Sequence, residues 1–121
     1  MLSLELRSRL SEVGLDYVEM VDKFMESEPM FLKYFKKFFT ASESVVKELE
    51  TAIASDDISA IENRAHALKG LSGNIGLNHV FEPAKKIVDD VRAGNFSWYK
   101  DDFKKLSAAY QKALEISMQI D

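Results

Sequence analysis

The sequence predicts an all-α protein: an antiparallel up-down-up-down four-helix bundle with one or two additional helices at its N-terminal side. Three observations carry this. Apolar residues recur at steps of three and four through most of the chain, the period of one buried helix face. Only two prolines and five glycines serve 121 residues, which leaves little room for strands and their turns. The turn signals that do occur are short and lie between long periodic runs, so successive helices should return antiparallel. One domain spanning 1–121 is expected, with the bundle core over 29–120 and capping helices over 2–27.

Leu2, Leu4, Leu6 and Leu10 predict a short first helix, and Gly14 punctuates it. From Asp16 to Glu26, Tyr17, Val18, Met20, Val21, Phe24 and Met25 make one broad apolar face. Ser27-Glu28-Pro29 reads as a turn and then a helix start, with proline at the first helical position, where its missing N–H is not needed. The next run, to about Ala54, sets Phe31, Leu32, Tyr34, Phe35, Phe38, Phe39, Val45, Val46, Leu49 and Ile53 in the core as an aromatic wall. Ser55-Asp56-Asp57 supplies capping oxygens for a helix from Ile58 to Ile75. Gly76 ends that helix and Asn78 is expected to cap the following one, which carries Val80, Phe81, Ala84, Ile87, Val88 and Val91 and stops at Gly94. Pro83 cannot sit deep in a straight helix, so this one should begin near Glu82 or kink there. Asn95 and Ser97 are expected to cap the last helix, with Asp101 and Asp102 at its positive end. Its seam is Tyr99, Phe103, Leu106, Tyr110, Ala113 and Ser117, flanked by Leu114.

Composition narrows the function. A net charge of −4 argues against nucleic acid, whose phosphates need a basic face. The absence of cysteine excludes disulfides and thiolate chemistry and fits a cytoplasmic protein. No apolar run reaches the ~20 residues of a membrane span, and Met1 to Arg9 does not read as a secretory signal. The methionine start and complete bundle favour a free-standing protein, expected to be a monomer.

The stretch from Glu62 to Gly76 stands out, because it holds three of the five glycines and one of the two histidines. Ile58, Ile61, Ala65, Leu68 and Ile75, with Ser72 filling the missing step, form the buried stripe. His66 lies roughly 130° from the middle of that stripe and should face solvent. Glu62, Asn63, Lys69, Gly70, Gly73 and Asn74 share its outer side, which sets the glycines opposite the core and against a packing role. A helix-interior glycine costs about 1 kcal/mol relative to alanine, so something should need to come close. An exposed imidazole is a competent nucleophile near neutral pH, since its ordinary pKa of about 6.5 leaves half or more unprotonated. A phosphoryl group taken up by His66 would be offset by Lys69 one turn on, and Gly70 would leave the approach clear. Ala67, Gly73 and Asn74 extend the low surface on which a partner could lie. A metal site built on Glu62 and His66 lacks a third ligand, and neither a catalytic triad nor a phosphate-binding glycine loop is present. His79 and the lysines Lys85, Lys86, Lys104 and Lys105 read as exposed residues without chemistry.

Ala65-His66-Ala67-Leu68-Lys69-Gly70, followed by Ser72 and Gly76, resembles the signature of histidine-containing phosphotransfer (HPt) domains. The likeness runs through Ala84 and Ile87 to Arg92-Ala93-Gly94-Asn95, and back through Leu49, Ala54, Asp57 and Ile58 to the helix opened by Pro29. It implies a phosphocarrier of a multistep two-component phosphorelay, not a kinase and without ATP-binding motifs. His66 would accept a phosphoryl group from a receiver-domain aspartyl phosphate and pass it to another receiver. Lys69 would supply the countercharge and Gly70 the clearance. Glu62, Asn63, Ala67, Gly73 and Asn74 would form the docking surface. The expected partners are response-regulator receivers or a hybrid sensor histidine kinase. No cofactor or metal is expected on this chain, and Mg²⁺ would belong to the receiver. The alternatives are a non-catalytic helical scaffold and the phosphotransfer domain of chemotaxis kinases. One departure stands out: Val88 occupies the place where such domains commonly carry a glutamine or glutamate that hydrogen-bonds the histidine, and Asp89 beside it is turned by 100°.

Overall fold

The computed structural model describes residues 2–120; Met1 and Asp121, the two ends of the expected domain, lie outside the described residues. All regular structure in it is helical: α1 (Leu4–Ser11), α2 (Tyr17–Lys23), α3 (Glu28–Ala54), α4 (Ile58–Asn74), α5 (Asn78–Arg92) and α6 (Tyr99–Met118). Helix α4 packs between α3 and α5, α5 packs on α6, and α6 returns to α3, which closes a ring of four. Loops of three residues, 55–57 and 75–77, join neighbours in that ring and fit reversal of direction at each step.

Four helices start on a side-chain cap. Ser3, Asp16, Ser27 and Asp57 each accept from the N–H three residues on, at 3.2, 3.0, 3.2 and 3.2 Å. Each such cap contributes about 1 kcal/mol by satisfying an orphan donor. Pro29 is the second residue of α3 rather than the first, still within the turn whose N–H groups need no helical partner. Two other expected caps are not made. The Asn78 amide donates to the Gly14 carbonyl at 2.8 Å, and α5 begins without a side-chain cap. Asn95 accepts from Ser97 N at 3.1 Å in a local turn, and α6 likewise starts uncapped. Helix α5 also begins earlier than Glu82 and takes Pro83 into its second turn, forgoing one intrahelical bond.

The core follows the predicted stripes. Phe31, Phe35 and Phe39 stack down α3 with ring centroids 5.9 and 5.2 Å apart, and Tyr110 of α6 closes on Phe39 at 5.5 Å. Burying each such ring stabilises the fold by roughly 1.5–3 kcal/mol. Polar atoms among them are satisfied: the hydroxyls of Ser42 and Tyr110 are 2.9 Å apart, and Ser72, buried in the α4 stripe, donates to Leu68 O at 2.7 Å. Three expectations fail at the margins, the first at Tyr34, placed in the aromatic wall but 44% exposed. Val18 is 73% exposed on the uncovered side of α2, and Met25 is 84% exposed because α2 ends at Lys23 and Met25 turns away at φ +59°. Lys86 is no mere solvated residue, since it bridges Asp90 at 2.9 Å and the buried Asp102 at 3.0 Å.

The N-terminal helices are tied down at both ends. Val13 O accepts from His79 N at 3.1 Å, and the His79 ring donates through Nδ1 to Glu12 O at 3.1 Å. On the other side Glu28 accepts from the Tyr17 hydroxyl and from Leu2 N at 3.0 Å. The Tyr17 bond holds the Glu28 carboxyl below its usual range, while burial and then Glu28 itself push the Tyr17 hydroxyl up.

Candidate functional site

Helix α4 presents two adjacent rows outside its buried stripe. Glu62, His66, Lys69 and Gly73 follow one another at steps of four, three and four, so they form one row along the helix. Asn63, Ala67, Gly70 and Asn74 form the next row at the same spacing. The first row faces α5. Its upper end is pinned where Arg92 Nε lies 3.3 Å from Glu62 Oε2. At its lower end a Cβ built on Gly73 would lie 3.1 Å from the Phe81 ring. These two contacts set an antiparallel register in which Phe81, Lys85, Asp89 and Arg92 of α5 run alongside Gly73, Lys69, His66 and Glu62.

His66 is exposed in the middle of its row. Among the described residues it has no hydrogen-bond or ion-pair partner. The reason lies in α5: Val88 is fully buried, and the Asp89 carboxylate is held by Lys85 Nζ at 2.8 Å. That ion pair, with the charges of Lys69 and Arg92 nearby, keeps the Asp89 carboxyl below its usual range. Lys69 is half-buried and makes no ion pair among the described residues. A cation is therefore available one turn from the imidazole.

The second row is low in relief. A side chain added at Gly70 would meet nothing within 4 Å, so this glycine leaves the surface open and no helix packs against it. Asn63 and Asn74 are exposed and Ala67 half-buried. The expectation that neither glycine serves packing needs correction at Gly73. It lies opposite the α4 stripe, yet the Phe81 ring of α5 leans over it, so closely that an added Cβ would push the ring back by a few tenths of an ångström. Asn63 is engaged sideways, its amide oxygen accepting from Arg64 Nε at 2.9 Å at the edge of the α3–α4 groove.

His66 stands on the exposed side of α4. Grooves of about 590 Å³ between α3 and α4 and about 620 Å³ between α3 and α6 do not include it. Among the described residues no three His, Asp or Glu side chains gather as a metal site, and no helix is long and apolar enough to cross a membrane. An exposed nucleophile outside these grooves is open to a group carried in by another molecule. The sequence did not single out Lys85 and Arg92 as neighbours of the histidine, and it read Asp89 as turned by 100° from the place of the expected partner. Their i,i+4 and i,i+3 spacing was legible, but which edge of α5 faces α4 was not.

A family model described as Hpt domain matches residues 33–116, more than two thirds of the chain and all of the α4–α5 face. Neither the search of curated proteins nor the search of solved structures gives a match.

Proposed function

The chain belongs to the Hpt domain family, and from that premise we propose that it is a histidine phosphocarrier whose acceptor is His66. The observation that carries this reading is the exposed, unpartnered imidazole at mid-helix, with Lys69 one turn on and open space over Gly70. The donor is the aspartyl phosphate of a receiver domain. A lone pair on the imidazole attacks phosphorus, the N–P bond forms as the acyl O–P bond breaks, and the electron pair leaves on the aspartate carboxylate. The second ring nitrogen keeps its proton. Reversal of the same step on another receiver delivers the group onward.

The exposed position of His66 outside the grooves supports a division of labour. The receiver supplies the pocket for the phosphoryl group together with its Mg²⁺, and this chain supplies nucleophile, countercharge and clearance. The row Asn63, Ala67, Gly70 and Asn74 is the proposed seat for the receiver, with Glu62 and Gly73 bounding it towards α5.

Mixing the protein with a phosphorylated cognate receiver is expected to place an acid-labile, alkali-stable phosphate on it; a plain scaffold would take up none from any receiver. Gly70→Gln adds a side chain into open space. It should slow transfer about tenfold or more by displacing the donor, while the fold remains as stable as before. Unfolding of Gly70→Gln would show that the glycine serves packing.

A further inference from the structure

The α5 row alongside His66 carries a cation that the proposed reaction has not yet used. Its two ends contact α4, at Arg92–Glu62 and at Phe81–Gly73, so the residues between them, Lys85 and Asp89, must lie along the same seam. In that register Lys85 stands level with Lys69, and Asp89 stands level with His66. The neighbouring pair, Lys86 and Asp90, belongs to the opposite edge, since Lys86 reaches Asp102 of α6. Lys85 and Asp89 are both exposed and their ion pair measures 2.8 Å. Arg92 is engaged by Glu62 at 3.3 Å at the upper end of the row, whereas Lys85 is held only by Asp89, which in that register stands level with His66.

Resting on the phosphotransfer reading, we propose that Lys85 is a second phosphoryl-binding cation that exchanges partners, leaving Asp89 for the phosphoryl group when His66 is phosphorylated. The phosphoryl group brings about two negative charges into a seam where Asp89 already supplies one. A Lys ammonium on a flexible four-carbon stem can follow the larger charge. Asp89, with Val88 buried beside it, is then a positioning residue: it parks Lys85 next to the site in the unphosphorylated state and opposes the phosphoryl charge in the phosphorylated state. No bond is made or broken by the exchange beyond the transfer already described, and no proton moves in it.

The test uses the whole protein phosphorylated on His66 by phosphoramidate, which bypasses any receiver, and follows the phosphoryl acid dissociation by ³¹P NMR. Lys85→Gln should weaken that acid about threefold and Asp89→Asn should strengthen it about threefold, the scale of one exposed ion pair. In a mixture with the receiver, Lys85→Gln should shift the transfer equilibrium away from the histidine and Asp89→Asn towards it, by similar factors. Both side chains are exposed, so both variants should melt like the parent. If the phosphoryl group on His66 titrates identically in all three proteins, the partner exchange is wrong while the phosphocarrier reading stands. If the parent takes no phosphate from any receiver, the reading itself falls and this inference with it.

Discussion

A side chain added at Gly70 would meet nothing within 4 Å, whereas one at Gly73 would lie 3.1 Å from the Phe81 ring and one at Gly76 only 2.4 Å from Met20 Sδ. The middle of α4 and its C-terminal end thus use the same residue for opposite ends. At the C-terminal end the chain occupies the space itself, with Phe81 from α5 and Met20 from α2 filling what a Cβ would take. Gly76 also has φ +70°, a conformation that L side chains adopt only at a cost. In the middle the space is left empty beside an unpartnered imidazole. The contrast teaches that a glycine's cost in a helix is repaid either within the fold or outside it, and only the surroundings tell which.

Substitutions can break or sharpen that contrast. The largest effect is expected at Gly76→Ala, where strain of about 1–2 kcal/mol for the left-handed backbone adds to about 1–3 kcal/mol for displacing Met20. Thermal unfolding should show a clear loss. Gly73→Leu should cost about 1–3 kcal/mol by overpacking against Phe81, read in the same way. Gly70→Ala should instead stabilise by about 1 kcal/mol, since a better helix former enters open space. If Gly70→Ala destabilises as much as Gly73→Leu, the two regions do not differ. The smallest effect concerns the N-terminal cap. The folded-state pKa of Glu28 is depressed, chiefly by the Tyr17 hydrogen bond. Its contribution is therefore present above the ordinary carboxyl value of 4.5 and lost as pH falls through the lower folded value. Glu28→Gln should flatten that acid limb in a melting series from neutral pH downwards.

The stripes of α3, α4 and α6, the helix start at Ser27-Glu28-Pro29 and the capping oxygens before Ile58 were legible because each depends on residues within one or two turns. Asn78 and Asn95 were misassigned as caps because an asparagine amide has competing partners, here Gly14 O brought by the tertiary fold and Ser97 N in a local turn. Gly73 was misread for a related reason: periodicity places a residue relative to its own helix and says nothing of the ring arriving from the next one. At the site, His66, Lys69 and Gly70 lie within five residues and could be read together. The row of Lys85, Asp89 and Arg92 depends on the α4–α5 register, which only the contacts at its two ends reveal.

The two histidines supply the most direct test. His66 is unpartnered in the open row, whereas His79 is fastened to Glu12 O at 3.1 Å at the packed end. Each should be replaced by glutamine and the protein mixed with a labelled, phosphorylated receiver. Loss of the acid-labile label in His66→Gln with its retention in His79→Gln is the predicted result. Label that persists in His66→Gln would contradict the assignment of His66 as the phosphoacceptor.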